Sequence, residues 1–256
     1  MKLLIAPAKK MRVEEDFLPP KTKPALWERS AELLQVLQEL SLPELRKVLA
    51  CSDRLAQEAA ENFQRMDLLQ GSTPALLAYD GIQYKYMAPG LFTQPQWDYV
   101  EEHLRILSGF YGVLRPMDGV RPYRLEMQAR LQTPYGRTLY EFWGETLGDT
   151  LLQEDQVLVN LASEEYAKAV RPAVQGRARF VRCVFAEEVA PGTLVEKGVY
   201  VKMARGEMVR FAAENALQRP EDLRQFDRLG YVFSPERSQG DVYVFCRSHR
   251  PGSRKL

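Results

Sequence analysis

In VLVNLASEEYAKAV, residues 157–170, the hydrophobic pattern changes from that of a strand to that of a helix. Residues 157–161 are apolar at every position except Asn160, which is typical of an interior strand. Ser163 follows at the N-cap position of the next helix, where serine is a favoured residue. A strand that leads directly into a helix predicts helices packed on a sheet.

Similar signals on both sides extend this pattern. Capping boxes at Ser41 (S-x-x-E) and Thr93 (T-x-x-Q) each predict the start of a helix. Hydrophobic periodicity predicts strands at 2–6, 75–79, 178–185, 199–201 and 242–246, and helices at 26–40, 53–66, 139–152 and 202–217. Because no regular βαβ repeat emerges, we expect an α+β fold, a mixed β-sheet with surrounding helices. We expect one domain over residues 1–256, its helical N-terminal portion at about 26–70 packed on the α/β core.

The composition excludes several classes of protein. Three widely spaced cysteines and two histidines argue against a disulfide framework and against a histidine-rich metal site. No stretch approaches the roughly 20 apolar residues that cross a bilayer, and the first apolar run is too short for a signal peptide. We therefore expect a cytoplasmic protein with no membrane association, no metal and no cofactor.

Charge is segregated along the chain although the formal net charge is only +1. Residues 168–182 carry five basic and no acidic side chains, whereas residues 141–155 carry five acidic and no basic ones. A near-neutral total can therefore conceal a positive face and a negative face. Solvated charge on both sides would give the same pattern.

The strongest chemical signal is LSGFYGVLRPMDGVRPYRLEM, residues 107–127. Its glycines allow close backbone approach, its arginines match phosphate or carboxylate groups, and its tyrosines offer flat faces for stacking. The alternative is a structural turn whose arginines pair with Asp118 and Glu126. Neither a Walker lysine nor a G-x-G-x-x-G motif is present.

Two further segments point to an anionic ligand. On a helix over 202–217, Lys202, Arg205 and Arg210 fall within one arc, opposite the apolar side chains. Asn160 and Ser163 lie between a strand and a helix, where α/β proteins often bind ligands and where a helix N-terminus attracts anions. Either residue could instead be structural, Ser163 as a cap and Asn160 as a bridge between loops. Nucleophilic catalysis is poorly supported, so no residue is assigned a catalytic role.

Six blocks of sequence carry a resemblance to a known family. They are PAK (7–9), LRILSGFYGVLRP (104–116), PYRLEM (122–127), LYEFW (139–143), VNLASEEY (159–166) and RGEMVRFAAEN (205–215). In these blocks, which run through almost the whole chain, it resembles the peroxide stress protein YaaA family. Two positions depart from the family pattern: Ala6 replaces the serine of S-P-A-K, and GIQY (81–84) lacks the acid of G-D-V-Y. The nearby Asp80 is the candidate substitute for that acid.

The resemblance implies a cytoplasmic protein that protects DNA and proteins from hydrogen peroxide by lowering free intracellular iron. It also implies a positively charged cleft, DNA binding and a helix-hairpin-helix-like element, although Gly109 and Gly112 are three residues apart instead of the usual two. Residues and resemblance together give a predicted DNA- or anion-binding site of Lys9, Tyr84, Ser108, Gly109, Tyr111, Gly112, Arg115, Tyr123, Arg124, Asn160, Ser163, Lys168, Lys202, Arg205 and Arg210.

The leading hypothesis is a peroxide stress protein that binds double-stranded DNA largely independently of sequence. The alternative is an enzyme that acts on a phosphorylated or nucleotide-like small molecule in the same cleft. An iron-binding protein is a third class, weakened by the two histidines and the scattered cysteines. We expect the cations Arg115, Arg124, Lys202, Arg205 and Arg210 to converge on one concave surface, with Asn160 and Ser163 in the same site.

Overall fold

An eight-stranded mixed sheet forms the centre of the computed structural model, which describes residues 1–14, 16–70, 73–190 and 192–248. The strands of the chain are β1 (Lys2–Ile5), β2 (Lys10–Met11), β3 (Thr73–Pro74), β4 (Tyr79–Asp80), β5 (Leu104–Ser108), β6 (Gly112–Leu114), β7 (Gly119–Val120), β8 (Val157–Asn160), β9 (Arg179–Ala190), β10 (Thr193–Val195), β11 (Val232–Phe233) and β12 (Val242–Ser248). The order across the sheet is β11-β12-β9-β8-β1-β5-β6, with β10 paired to β9. The α+β class with a mixed sheet is therefore confirmed.

The five central strands, β12, β9, β8, β1 and β5, are parallel, and β6, β10 and β11 add antiparallel pairs. In β1, Leu3, Leu4 and Ile5 are completely buried. Parallel strands covered on both faces read as continuous apolar runs, which is why β1 and β8 were recognisable in the sequence. Two short pairs, β2–β4 and β3–β7, lie outside this sheet.

Ten α-helices in the described residues surround the sheet. They are α1 (Trp27–Glu39), α2 (Leu42–Leu49), α3 (Asp53–Arg65), α4 (Ala75–Ala78), α5 (Ile82–Met87), α6 (Gln94–His103), α7 (Leu139–Trp143), α8 (Thr146–Leu152), α9 (Glu164–Val174) and α10 (Gly198–Glu214). Both predicted capping boxes form: the Ser41 amide donates to Glu44 Oε2 at 2.9 Å, and the Thr93 amide donates to Gln96 Oε1 at 2.9 Å. Buried residues of all three N-terminal helices, such as Leu33, Leu45 and Phe63, belong to the same hydrophobic core as those of the sheet.

Two predicted strands are wrong. Residues 75–79 form helix α4 followed by the start of β4, and residues 199–201 form the first turn of α10. A short apolar run does not distinguish a buried strand from a buried helical turn, and all four residues of α4 are buried. The predicted helix 139–152 divides into α7 and α8 at Gly144, whose φ of 50° ends the first helix.

Residues 107–127, the strongest chemical signal of the sequence, contain a tight β-hairpin. Ser108 pairs with Gly112 across the turn between β5 and β6. A Cβ atom at Gly109 would lie 2.7 Å from the Leu125 carbonyl oxygen, so this glycine allows the chain at 123–127 to pass close by. Gly112 has a φ of +77° and packs against Trp143. These glycines therefore belong to a strand hairpin, and no helix-hairpin-helix element is found in the described part of the chain.

No helix of the described residues combines the length and the apolar character that a membrane span requires.

Candidate functional site

A cavity of about 450 Å³ opens beside the carboxyl ends of β1 and β8. Its walls are residues 6–10, 80–84 and 123–126 together with Ser163, Glu165, Tyr166, Lys202 and Arg205. The strand order changes direction at β1, which lies between β5 and β8. In open parallel sheets this position, outside the carboxyl ends of strands, is where ligands bind.

Two glycines bring the walls of the cavity together. A Cβ atom at Gly81 would lie 2.8 Å from the Cβ of Ala8, so this glycine lets the start of α5 approach the loop after β1. At Gly206 an added Cβ would lie only 2.1 Å from the carbonyl oxygen of Gln83. Helix α10 can therefore lie directly on α5, which places Arg205 and Gln83 in adjacent walls.

Five basic side chains line the cavity, against the three acidic ones of Asp80, Glu126 and Glu165. Glu126 forms an ion pair with Lys9 at 2.7 Å, and Asp80 lies 3.5 Å from Lys85 outside this cavity. The other four basic side chains make no hydrogen bond or ion pair with any residue of the described chain. They are those of Lys10, Arg124, Lys202 and Arg205.

The four unpaired cations lie at different depths. Lys10 and Lys202 are exposed, whereas Arg124 and Arg205 are half-buried. The Nε atoms of both arginines are closed to solvent and have no acceptor, and the same holds for the side-chain nitrogen of Gln83. Burial lowers the pKa of Arg205. Within the described residues only five buried side-chain polar atoms have no partner, and three of them belong to this cavity.

Tyrosines form another part of the wall. The Tyr84 hydroxyl donates to the Ala6 carbonyl at 3.0 Å, and that of Tyr123 lies 2.7 Å from Ser108 Oγ and 3.0 Å from Tyr79 Oη. Ser108 Oγ already accepts two backbone N–H groups, so its own hydrogen is donated to Tyr123, whose hydroxyl shares a second hydrogen bond with that of Tyr79. Burial raises the pKa of Tyr123 to about 12, so this chain of hydroxyls stays protonated at neutral pH.

A second, smaller cavity of about 310 Å³ shares Asp80 and Tyr84 with the first. Its two basic residues already have partners. Arg12 Nε donates to the Leu77 carbonyl at 3.0 Å, and Lys85 lies 3.5 Å from Asp80. The larger cavity is therefore the one that brings unpaired cations together.

Seven of the residues predicted from the sequence line the larger cavity: Lys9, Tyr84, Tyr123, Arg124, Ser163, Lys202 and Arg205. Ser163 is the N-cap residue of α9, but its hydroxyl makes no capping hydrogen bond. Ser108 lies one layer behind, against Tyr123.

The remaining predicted residues lie elsewhere. Arg115 is within 3.2 Å of Glu154 and Arg210 is within 2.7 Å of Glu214, so neither belongs to the group of unpaired cations. Asn160 is buried and accepts a hydrogen bond from the Ala162 amide at 3.0 Å, and Lys168 lies 5.1 Å from the ring centre of Tyr140. The hairpin residues Gly109, Tyr111 and Gly112 are outside the cavity wall. Of the five cations expected on one concave surface, three line this cavity.

The sequence prediction missed Lys10 and Gln83, which also line the cavity. Each adjoins a residue that was predicted, Lys10 next to Lys9 and Gln83 next to Tyr84. A lysine after a strand and a glutamine in an apolar segment carry no distinctive signal, so only their closeness to the PAK and GIQY segments could have identified them.

Among the described residues, no group of three or more His, Cys, Asp or Glu side chains is arranged to hold a metal ion.

Comparison with known proteins shows to which family the chain belongs. The chain is 50% identical to a UPF0246 protein of Desulfitobacterium hafniense over 248 residues, 97% of this chain and 98% of that one. It is 46% identical to a UPF0246 protein of Lactiplantibacillus plantarum over 249 residues, 97% of this chain and 100% of that one. The family model described as "Peroxide stress protein YaaA" matches residues 1–237. With its cavity walls inside the matched region, the chain belongs to the peroxide stress protein YaaA family.

Proposed function

We propose that this protein acts in the cytoplasmic response to peroxide stress by binding the phosphate backbone of DNA at the mouth of the cavity, and that it limits iron-dependent oxidative damage. The observation that carries the DNA proposal is the convergence of Lys10, Arg124, Lys202 and Arg205 without partners in the described chain. Cations without a partner in the protein are available to an external anion. The link to iron rests on family membership.

The exposed lysines are suited to a polymeric ligand. Lys9, Lys10 and Lys202 are exposed around the opening, where a phosphate backbone can reach them. Lysine contacts a phosphate as a mobile point charge, and such contacts carry no sequence information. Binding at this rim is therefore expected to be largely independent of sequence.

Salt dependence of duplex binding tests the proposal. Each phosphate contact lowers the slope of log affinity against log salt by about 0.9, so four contacts give a slope near −4. The double variant Lys10→Ala/Lys202→Ala should bind more weakly and bring the slope to about −2 by the same rule. Arg210→Ala is the matched control, because it removes a cation that is already paired with Glu214 outside the cavity.

Fluorescence anisotropy with a labelled duplex, titrated from low to moderate salt, gives both slopes. A flat response to salt, or an equal loss of affinity in the Arg210→Ala control, would contradict binding of the backbone at this rim.

The second candidate function is catalysis on a phosphorylated or nucleotide-like small molecule in the same cavity. The observation that favours it is the depth of Arg124 and Arg205, which lie behind the exposed lysines. A mononucleotide would then bind saturably and with little dependence on salt, whereas backbone binding requires a polymer. Titration with a mononucleotide beside the labelled duplex distinguishes the two.

A further inference from the structure

We infer that the inner wall of the cavity, formed by Gln83, Arg124 and Arg205, is a binding site for the terminal phosphate group of a small organic phosphate monoester. This inner wall lies behind the exposed lysines, and the inference rests on the second candidate function without requiring DNA binding. It is assembled from three separate segments: helix α5, the chain at 123–126 and helix α10.

The first argument is the free-energy cost of hydrogen-bond donors that are buried without an acceptor. Gln83 is 94% buried, since its relative exposure is 6%, and its side-chain nitrogen has no acceptor. The Nε–H groups of Arg124 and Arg205 are buried from solvent and also have no acceptor. Each such donor costs free energy in the folded protein, and more when the group is charged. A protein that keeps three of them around one cavity gains from them only when an acceptor binds there.

The second argument is charge. The cavity has five basic and three acidic side chains, an excess of two positive charges. A phosphate monoester carries nearly two negative charges at neutral pH. A backbone phosphodiester carries one, and a carboxylate also carries one. The charge of a monoester therefore balances the excess positive charge of the cavity better than the charge of a diester or a carboxylate does.

The third argument is the shape of the site. A volume of about 450 Å³ lies within the range of pockets for small organic ligands. Tyr84 and Tyr166 are almost fully buried beside the arginines and give the cavity an aromatic wall against which the organic part of a ligand can pack.

The fourth argument is the way in which the two arginine side chains can hold a phosphate group. An arginine captures a phosphate most strongly through two parallel N–H groups, and the edge formed by Nε–H and one terminal N–H is such a pair. Because the Nε atoms are closed to solvent, use of this edge requires each arginine to rotate toward the cavity when the phosphate binds. The Gln83 amide then supplies a third, uncharged donor.

Binding measurements by isothermal titration calorimetry test the inference. The probes are inorganic phosphate, phenyl phosphate as a monoester, dimethyl phosphate as a diester, and acetate. We expect phenyl phosphate to bind more tightly than inorganic phosphate. Dimethyl phosphate and acetate should bind at least 10-fold more weakly than phenyl phosphate. Arg124→Met and Arg205→Met should each weaken phenyl phosphate binding by about 10- to 100-fold, as expected for a hydrogen bond to a charged group. Arg210→Met is the control and should change the affinity less than twofold.

Thermal unfolding of the same variants without ligand provides a second readout. Removing a half-buried charge that has no ion-pair partner should leave the melting temperature of Arg205→Met unchanged or higher, whereas a structural arginine would lower it. Equal affinity for acetate and phenyl phosphate would overturn the monoester assignment. Unchanged phenyl phosphate affinity in both arginine variants would overturn the site itself. Lys10→Ala/Lys202→Ala should lose DNA affinity but retain phenyl phosphate binding, so failure of the DNA proposal and failure of this site are distinguishable.

Discussion

The contact between Gly206 and helix α5 gives the sharpest test of how the cavity is built. An alanine at this position would put its Cβ 2.1 Å from the Gln83 carbonyl oxygen, and an ordinary contact begins near 3.4 Å. Helix α10 must therefore move by about 1.3 Å relative to α5. The obstructing atom belongs to helix backbone, so no flexible side chain can turn away.

The magnitude follows from two opposing effects. Overpacking of a tight contact costs about 1–3 kcal/mol, and more where backbone must shift. Alanine recovers up to about 1 kcal/mol because it favours the helix more than glycine does. We expect Gly206→Ala to lose about 2 kcal/mol of stability, equivalent to a fall of about 4–8 °C in melting temperature for a chain of this size. The shift also displaces Arg205, so phenyl phosphate affinity should fall at least 10-fold.

Gly198→Ala is the matched control on the same helix, because an added Cβ there meets no atom within 4 Å. Calorimetric unfolding should show this control unchanged or slightly more stable. If Gly206→Ala melts at the temperature of the control and binds phenyl phosphate normally, close contact between α5 and α10 does not build the cavity.

Three further outcomes are expected. Burial raises the pKa of Tyr123 to about 12, so the folded protein holds this proton more tightly than the unfolded chain does. The contribution of Tyr123 to the free energy of unfolding is therefore complete below about pH 10 and is lost between about pH 10 and about pH 12. In urea titrations, Tyr123→Phe should show a shallower alkaline decline of stability. Asn160→Ala removes the acceptor of the Ala162 amide, so we expect chemical denaturation to show a free energy of unfolding lower by about 1 kcal/mol, with phenyl phosphate affinity unchanged. A loss of affinity at full stability would place Asn160 in the site. Gly112→Ala should lower the melting temperature more than Gly176→Ala does. Both glycines have a positive φ, but only at Gly112 would an added Cβ also meet the Trp143 ring, at 3.0 Å. Equal falls in melting temperature would show that the backbone conformation alone matters.

The elements that the sequence predicted well are those with a strong local signal. The capping boxes at Ser41 and Thr93 mark helix starts because the reciprocal hydrogen bonds involve residues only three positions apart. The apolar run of β1 is short but ends at a proline, which fixes its end. Residues 75–78 and 199–201 follow Pro74 and Gly198, which mark a boundary but do not distinguish a strand from a helix, so their helical state depended on packing that no local pattern contains.

The site was only partly predictable for a related reason. Arg124 and Arg205 were identified as anion-binding candidates from the chemistry of their side chains, and both line the cavity. Arg115 looks the same in sequence, but the fold brings Glu154 to within 3.2 Å of it. Whether an arginine remains unpaired depends on residues far away in the chain, and no local pattern connects Arg115 with Glu154, which lies 39 positions further along.

The cavity walls come from segments spread between residues 6 and 205, and this affects how the protein acquires its site. Contacts between distant segments form late, because the chain must first lose the entropy of closing long loops. The N-terminal helices and the β5–β6 hairpin join residues close in sequence and can form early. The wall on α10 leaves the ribosome after all the other walls, because it lies furthest along the chain. A newly made chain can therefore complete the cavity only after α10 has been made, and refolding followed by phenyl phosphate binding should lag behind refolding followed by helix content.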